Sequence, residues 1–574
     1  MNRSYPFAGI WKDALASRWC DAMIIFGLIL FASFSFYATP EFAANLPQDG
    51  ADSAIPAMNL LERGKLVLTI FGHDHPPSHP FGLSLLLVPA YVVAGHFLGN
   101  GIYAILLCAL GSIVVIYVLG VKLGGRWCGS FAALFLITHY GFWQYSQKIM
   151  SEVPSVLLLT SVLALVLSVR EKREAGFRCV VAGAILGFAV TVRYDNLLWF
   201  APTAALLSGA GSWRERLRRV GLCLAGLAPW ILLLAAYQQA TFGRPWRTGY
   251  SHWGNAGDST QPLFSLKYIT TAGFLGMKQI DGQRAGLVEG NGIFYAKSLL
   301  AESDTTRIFG NPLYWQLPDR PIYQLLAGLR TALGVVGIVA CLVAWRTNPF
   351  RRQFLLWLIL TALISIGLYL LYSWQEERFL MRLVPLFCLA NAMGLTALLA
   401  KWPAKSFRAI ATVVAGVLLV ALAFYNWQMG FPTGNDLHLY EVFTYATGHM
   451  ERNAVVVTNI DPIHVDAYLI RGTERLAVPL VRHRGGVSVI VNGRSTIASI
   501  DPFVATEDPE RLRELLHTGR PVYWLIDNPW TRSPPVDLDA LERLFRLQVL
   551  ATASPNGPDE QPYFGRLYDL PQGQ

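Results

Sequence analysis

The chain has 574 residues, of which 53% are apolar and only 15% are charged. About a quarter of the residues of a water-soluble domain are charged, so this composition excludes a soluble protein and predicts one that crosses a membrane several times. The net charge of +9 does not indicate nucleic-acid binding, because the basic residues lie in short loops between apolar segments.

About eleven apolar segments are candidate transmembrane helices, which need roughly 17–25 residues to cross a bilayer. They lie at 22–39, 101–121, 128–143, 153–169, 178–192, 196–209, 218–240, 322–345, 353–372, 382–400 and 407–427. The apolar run at 81–99 is predicted to be a juxtamembrane or re-entrant helix instead. Only then do the basic loops and the basic N-terminus all fall on the cytoplasmic side.

This topology predicts a polytopic α-helical transmembrane domain at 1–430, with a first outer loop at 40–100 and a large outer loop at 241–321. The tail at 431–574 then lies outside the cytoplasm. Its apolar runs have the length of strands and alternate with helical patterns, which predicts a small α/β domain. These runs are 454–458, 476–481, 487–491, 522–526 and 548–551. The low cysteine content is typical of a bacterial inner-membrane protein, with this tail in the periplasm.

Polar side chains are concentrated in the first outer loop. Asp49 and Asp52 precede a short amphipathic run at 54–61. A cluster of imidazoles and one carboxylate follows: His73, Asp74, His75 and His79. Acids and imidazoles on the rim of a bilayer are typical of an enzyme that works at the membrane surface. The cluster is a candidate substrate loop.

Two other interpretations of these residues stay open. The imidazole cluster could bind a divalent metal ion, magnesium or manganese, although its prolines favour a turn. Either aspartate could cap the amphipathic helix, because aspartate is a good N-cap residue, and we favour that interpretation for Asp52.

The segment from Asp49 reads D-x-x-x-S-x-x-x-A-x-x-L-L-x-x-G, and H-P-P follows at 75–77. This pattern resembles the first outer loop of the GT-C glycosyltransferases, in particular the protein O-mannosyltransferase-like branch and the lipid A aminoarabinose transferases. The resemblance implies that Asp49 is the catalytic carboxylate and that Pro76 and Pro77 open a second juxtamembrane helix. Gly50 and Ser53 stand where many members have an acid and a tyrosine.

Further segments resemble the same family in the same order. The run 144–154 is similar to the second outer loop, with Glu152 as its acid, and 183–202 is similar to a segment in which Arg193 precedes a proline, here replaced by tyrosine. The runs 237–250 and 377–385 resemble the approach to the large outer loop and an E-R-Y-…-P motif. The resemblance covers about 40 to 390 and leaves the tail outside it.

The reaction that this topology allows can be argued from chemistry. Nucleotide sugars stay in the cytoplasm, so a transfer on the outer face needs a polyprenyl-phosphate sugar as donor. A carboxylate that removes the acceptor's proton contributes roughly 10²–10⁴ in rate, and fixed cations stabilise the departing phosphate. Asp49 is the expected base, with Asp52 and Glu152 as further catalytic candidates. The candidate phosphate-binding cations are Arg193, Arg378, Arg382 and Lys148.

The cations and Glu152 also have structural interpretations. Arg378, Arg382 and Lys148 could be interfacial anchors that extend to lipid headgroups. Glu152 could be a solvated loop acid. Arg193 is a functional candidate, because an arginine inside a span costs about 2.5–3.5 kcal/mol.

The chain is therefore predicted to be an integral-membrane, inverting glycosyltransferase, with inversion implied by the resemblance. Its expected partners are a polyprenyl-phosphate sugar, membrane lipids and an extracytoplasmic lipid, polysaccharide or protein acceptor. A transporter or flippase of a lipid-linked glycan is the alternative from another class, which the long acidic first loop and the lack of a visible inverted repeat disfavour. A second alternative is a catalytically inactive relative that binds glycans.

Overall fold

The computed structural model describes most of the transmembrane region and separate parts of the tail. The described residues are 7–37, 48–70, 73–169, 175–209, 212–251, 264–270, 291, 295, 321–372, 377–401, 410, 413–414, 416–421, 443–458, 465–471, 473–479, 487–491, 494–498, 509–527, 543–552 and 562–569. Most of them are helical.

The helices before the tail follow the apolar segments of the sequence. They are α1 Phe7–Ser35, α2 Gln48–Arg63, α3 Gly82–Ala94, α4 Ile102–Gly124, α5 Arg126–Ile137, α6 Tyr140–Tyr145, α7 Glu152–Ser168, α8 Ala175–Val192, α9 Phe200–Leu207, α10 Trp213–Phe242, α11 Lys267–Thr270, α12 Pro321–Val343, α13 Pro349–Leu370 and α14 Val384–Ala400. Turns of 3₁₀ helix lie at Leu98–Gly101, Tyr194–Trp199 and Glu377–Leu383.

Among the described residues, 5 helical segments are long and apolar enough to cross a membrane. They are Leu98–Gly124, Ala175–Val192, Trp213–Phe242, Pro349–Leu370 and Arg378–Ala400. Shorter apolar helices accompany them, so the prediction of a multi-spanning helical membrane protein is confirmed. Much of the expected span at 407–427 lies outside the described residues.

One expected span, 128–143, is not a single helix. Helix α5 ends at Ile137, and α6 begins at Tyr140 after an extended residue, His139. The imidazole of His139 accepts a hydrogen bond from the backbone N–H of Phe142 at 3.2 Å and so caps the new helix. Continuous hydropathy therefore conceals a break that a local side-chain cap creates.

Helices α8 and α10 approach each other closely through glycine. A Cβ atom on Gly183 or on Gly226 would collide with the backbone of the facing helix. Gly337 and Gly394 make the same kind of contact between α12 and α14. Small residues at helix crossings are typical of membrane proteins, because they allow the two backbones to pack closely.

The first outer loop consists of α2, a short antiparallel hairpin and α3. The amphipathic helix begins at Gln48, earlier than expected, with Asp49 in its first turn, where the helix dipole favours a negative charge. The strands β1 Leu68–Ile70 and β2 His73–His75 form the hairpin. Helix α3 has 13 residues, which is about 20 Å of helix and shorter than the ~30 Å hydrocarbon core.

The described tail residues form a mixed sheet and a hairpin. The strands are β3 Val455–Thr458, β4 Leu476–Pro479, β5 Val487–Val491, β6 Arg494–Ala498, β7 Val522–Asp527, β8 Phe545–Thr552 and β9 Pro562–Asp569, with helix α15 Pro509–His517 between β6 and β7. The sheet has the order β4-β3-β7-β9-β8, parallel at β4-β3-β7 and antiparallel beyond, and β5 pairs with β6. Strands at the five expected runs are confirmed, whereas β6 and β9 were not predicted.

Candidate active site

Charged side chains from separate segments form one chain of alternating charge, which we call the charge network. Its members in spatial order are Asp49, Arg378, Glu152, Arg193, Asp195 and Arg382. The sequence separates these residues by up to 333 positions (382 − 49), so the fold alone brings them together.

The ion pairs of the charge network are close. Arg378 Nη1 lies 2.6 Å from Asp49 Oδ2, and Arg378 Nε lies 3.8 Å from Glu152 Oε1. Arg193 Nη1 contacts the same Glu152 oxygen at 2.7 Å. Arg193 Nε lies 3.4 Å from Asp195 Oδ1, and Arg382 forms an ion pair with the other oxygen of Asp195. Each carboxylate therefore has at least one guanidinium partner.

The backbone places these side chains at the ends of helices. Glu152 is the first residue of α7, and Arg193 follows the last residue of α8 in an extended conformation. Arg378 and Arg382 lie four residues apart in the 3₁₀ turn before α14. Asp49 comes from the first turn of α2. The charge network is therefore built from the ends of separate helical segments.

Exposure changes along the charge network. The side chain of Glu152 is 2% exposed and that of Arg382 is 5% exposed. The side chain of Asp49 is 36% exposed, the largest value among these members. Asp49 is therefore the accessible end of an otherwise buried network, where an incoming hydroxyl group can reach a carboxylate.

The surrounding charges hold Asp49 and Asp195 in their ionised forms. Burial by itself would raise the pKa of Asp49, but Arg378 and His79 outweigh it and hold this pKa well below its usual range. Burial likewise opposes ionisation of Asp195, and Arg382 and Arg193 again lower its pKa well below the usual value. Both groups therefore carry a negative charge at neutral pH.

Asp52 and His79 form a second polar group beside Asp49. Asp52 Oδ2 lies 2.6 Å from His79 Nδ1 and accepts hydrogen bonds from the Ser78 hydroxyl at 2.7 Å and the His79 backbone N–H at 2.9 Å. Its other oxygen accepts from the Ser78 backbone N–H at 3.2 Å. Asp52 lies inside α2 and binds these loop groups, so the favoured interpretation as an N-cap is wrong.

The structural interpretations of three other residues are also wrong. Glu152 is buried and paired with Arg193, so it is not a solvated loop acid. Arg378 and Arg382 turn toward carboxylates of the charge network and are not lipid anchors. The guanidinium groups are drawn inward because buried carboxylates need a compensating charge.

Other members of the expected site lie apart from the charge network. Lys148 Nζ lies 5.7 Å from the centre of the Tyr145 ring, and no ion pair among the described residues joins it to the network. Asp74 pairs with Arg63 at 2.9 Å and Lys65 at 2.8 Å. His75 is fully buried in β2. The side chain of His73 lies outside the described residues.

The described residues do not form the metal site that was left open as an alternative for the imidazole cluster. No group of three His, Cys, Asp or Glu side chains with suitable geometry occurs in the described part of the chain. Both carboxylate oxygens of Asp74 are engaged by cations, and His79 is held by Asp52.

Sequence reasoning missed Asp195 and Tyr369. Tyr369, on α13, donates a hydrogen bond to Asp195 and accepts one from Arg382 at 3.0 Å. Asp195 stands two residues after Arg193 at the end of an apolar helix. An acid so close to a suspected intramembrane arginine was the available signal, since buried charges are paired.

Two family models match parts of the chain. Residues 74–237 match the dolichyl-phosphate-mannose-protein mannosyltransferase family, and residues 306–471 match the Alg9-like mannosyltransferase family. No curated protein matches the chain.

Solved structures of membrane glycosyltransferases share the fold. ArnT from Cupriavidus metallidurans in the apo state has a TM-score of 0.57 and 12% identity, covering 96% of this chain and 98% of that chain. ArnT bound to undecaprenyl phosphate gives 0.56 and 13% over the same shares. The arabinofuranosyltransferase AftD from Mycobacteria gives 0.54 and 12%, covering 96% of this chain and 41% of that chain.

The chain therefore has the GT-C fold, as its first outer loop predicted. The two partial mannosyltransferase matches support the same enzyme class, and the prediction of a glycosyltransferase is confirmed.

Proposed function

We propose that the protein transfers a sugar from a polyprenyl-phosphate donor to an acceptor hydroxyl outside the cytoplasm, with inversion and with Asp49 as general base. The observation that carries the proposal is the Asp49–Arg378 pair. It joins the accessible carboxylate of the charge network to a guanidinium that can bind a phosphate. The binding of undecaprenyl phosphate by ArnT and the dolichyl-phosphate-mannose family match support a lipid-phosphate donor.

The transfer follows from the order of the charges. Asp49 removes the proton of the acceptor hydroxyl as its oxygen attacks the anomeric carbon on the face opposite the phosphate. The bond from that carbon to the phosphate oxygen breaks, and its electron pair goes to the phosphate. Arg378 and Arg193 stabilise the charge that develops there. Direct displacement on the opposite face inverts the anomeric configuration.

Arg378 also explains how an aspartate with a lowered pKa can act as a base. The guanidinium group holds the pKa of Asp49 below its usual range in the absence of substrate. A donor phosphate competes for the same guanidinium group. When Arg378 turns toward the phosphate, Asp49 loses its strongest cationic partner and becomes more basic. Donor binding therefore activates the base.

The same proposal includes the topology and the location. The transmembrane domain at 1–430 has about eleven spans and lies in the bacterial inner membrane, and the tail at 431–574 is a periplasmic α/β domain. The ion pair between Arg471 of the tail and Glu62 of α2, at 2.5 Å, supports this arrangement. From this contact we infer that the described part of the tail lies on the same side of the membrane as the first outer loop.

The proposal is tested by incubating purified wild type and purified Asp49→Asn with a panel of undecaprenyl-phosphate sugars. Mannose is the first sugar of the panel, because both family models are mannosyltransferases. Consumption of the donor is measured with and without EDTA, so that a metal requirement is also detected. We expect one donor to be consumed by wild type and its turnover to fall about 10²-fold or more in the variant.

Asp569→Asn is the matched control, because it removes a carboxylate of the tail that pairs with Arg513. It should keep wild-type turnover. Equal turnover in wild type and folded Asp49→Asn would exclude Asp49 as the base. If wild type consumes none of the donors, the proposed transferase activity is contradicted, and a transporter or an inactive relative is favoured.

A further inference from the structure

His79 is the best-fixed imidazole near the charge network. Three hydrogen bonds from Ser78 and from the His79 backbone orient the Asp52 carboxylate, and its Oδ2 lies 2.6 Å from His79 Nδ1. An ionised carboxylate only accepts hydrogen bonds, so the proton of a neutral His79 resides on Nδ1. The lone pair of Nε2 is then directed away from Asp52.

The second ring nitrogen of His79 faces Asp49. Nε2 lies 3.9 Å from Asp49 Oδ1. This distance is too long for a direct hydrogen bond, but one oxygen atom can lie about 2.8 Å from both groups. A water molecule placed at that point would connect the two groups. The base of the proposed reaction therefore has a second proton acceptor beside it.

We propose that His79, held by Asp52, is the proton relay of the transfer: it receives from Asp49 the proton that Asp49 takes from the acceptor hydroxyl. This inference rests on the proposed function. The hydroxyl O–H bond breaks, its proton goes to Asp49, and the oxygen forms the bond to the anomeric carbon while the phosphate leaves with its electron pair. In the same step a proton passes from Asp49 through the bridging water to Nε2, so the transfer requires neutral His79. Asp49 is again a carboxylate and His79 is an imidazolium.

Neighbouring charges give this transfer its direction. Burial by itself would lower the pKa of His79, but the hydrogen bond to Asp52 and the charge of Asp49 outweigh it and raise this pKa above 6.5. Arg193 opposes that rise, and Tyr250 faces the ring edge-on with the two ring centres 5.2 Å apart. Because the pKa of Asp49 is lowered, the proton moves from the weaker base to the stronger one.

The relay makes the rate depend on the protonation of His79. Only neutral His79 can accept the proton, so kcat/KM rises with pH and levels off above the pKa of this imidazole. A general base without a relay gives no such rise near neutral pH, since Asp49 is ionised throughout that range. The shape of the pH profile therefore separates the relay from a purely structural role for His79.

The pH profile of kcat/KM between about pH 5.5 and 9 tests the relay, measured on the undecaprenyl-phosphate sugar that wild type consumes. In wild type we expect a rise of about tenfold per pH unit that levels off with an apparent pKa above 6.5. His79→Gln should abolish the rise and lower the plateau at least about tenfold. Asp52→Asn should shift the rise to lower pH, because it removes the charge that raises the pKa of His79.

His517→Gln is the matched control, since its imidazole lies on the tail with 73% of its side chain exposed, and it should keep the wild-type profile. A pH-dependent rise that persists unchanged in His79→Gln, together with a loss in Asp49→Asn, would overturn the relay and leave Asp49 as the base. An absence of turnover in wild type would overturn the transferase and the relay together.

A second measurement does not need an active or a folded His79 variant. Exchange of the imidazole C2 hydrogen for deuterium, followed by mass spectrometry, reports the pKa of His79 in wild type and in Asp52→Asn. We expect a value above 6.5 in wild type and a lower value in the variant. The same value in both proteins would overturn the relay, because Asp52 would then not control the imidazole.

Discussion

The first outer loop contributes to two groups of ion pairs, one at the hairpin and one in the charge network. The two groups differ in their exposure to solvent. At the hairpin, Asp74 pairs with Arg63 and Lys65, whose side chains are 38% and 60% exposed. In the charge network, Arg193 pairs with Glu152, whose side chains are 15% and 2% exposed. The residue types and distances are nearly the same in the two places.

The difference in exposure changes what an ion pair contributes to the stability of the fold. An exposed ion pair contributes about 0–1 kcal/mol, because water and salt screen it. A buried pair costs desolvation energy that its attraction only partly offsets, and an apolar replacement of the same size is often at least as stable. A fold with several buried pairs in one place therefore retains them for a reason other than stability. For the charge network we propose that this reason is the chemistry of Asp49 and the neighbouring arginines.

The largest effect is expected from breaking the buried group. Arg193→Ala leaves the carboxylates of Glu152 and Asp195 without this partner in a poorly solvated site, so the free energy of unfolding in detergent should fall by about 3–5 kcal/mol. Adding Glu152→Gln should restore part of this loss, because a neutral amide costs less to bury.

Arg63→Ala is the matched control in the exposed group. It removes a guanidinium at a similar distance from its acid, and the loss should stay within about 1 kcal/mol. Equal losses in the two variants would show that burial does not distinguish the two groups.

The fold was largely predictable where one physical signal dominates. Apolar runs marked the long helices, and strand-length runs marked most of the sheet. The break before α6 was missed because the capping His139 lies within a continuously apolar segment. Strand β9 was missed because it reads PYFGRLYD, with Gly565 at its centre. That glycine is required by close packing against Trp524, a contact that sequence alone does not show.

The sequence indicated five of the six members of the charge network, but it missed Asp195 and did not predict the pairing. Arg193, Arg378 and Glu152 were singled out as charges beside apolar segments or by resemblance. Which acid meets which arginine depends on tertiary packing between distant segments, as the pair Asp49–Arg378 illustrates. The partnership of Asp52 with His79 was missed because local capping is the commoner role of such an aspartate.

An intermediate effect is expected at Gly249, in the loop after α10, because this loop packs against Ser78. A Cβ atom on Gly249 would collide with the backbone of Pro77 and Ser78, and Ser78 binds Asp52. Gly249→Ala should therefore displace Ser78 and lower the free energy of unfolding by about 1–3 kcal/mol. Differential scanning fluorimetry in detergent measures the loss.

Gly221→Ala is the control for that substitution, because nothing lies within 4 Å of the added methyl group inside α10. It should be neutral or stabilise the helix by about 0.5–1 kcal/mol. A Gly249→Ala protein as stable and as active as Gly221→Ala would show that the loop does not position Ser78 and Asp52.

The smallest effect is expected at the exposed group, and pH reveals it. Burial by itself would raise the pKa of Asp74, but Lys65 and Arg63 outweigh it and lower this pKa below 3.8. A carboxylate with a lowered pKa stabilises the fold above its unfolded value, and that contribution is lost as the pH falls through the folded value. Asp74→Asn should therefore cost about 0.2–1 kcal/mol at pH 7, with the difference from wild type shrinking below pH 3.8. A loss at pH 7 as large as that of Arg193→Ala would mean that the hairpin pairs are as protected from solvent as the charge network, and exposure would no longer separate the two groups.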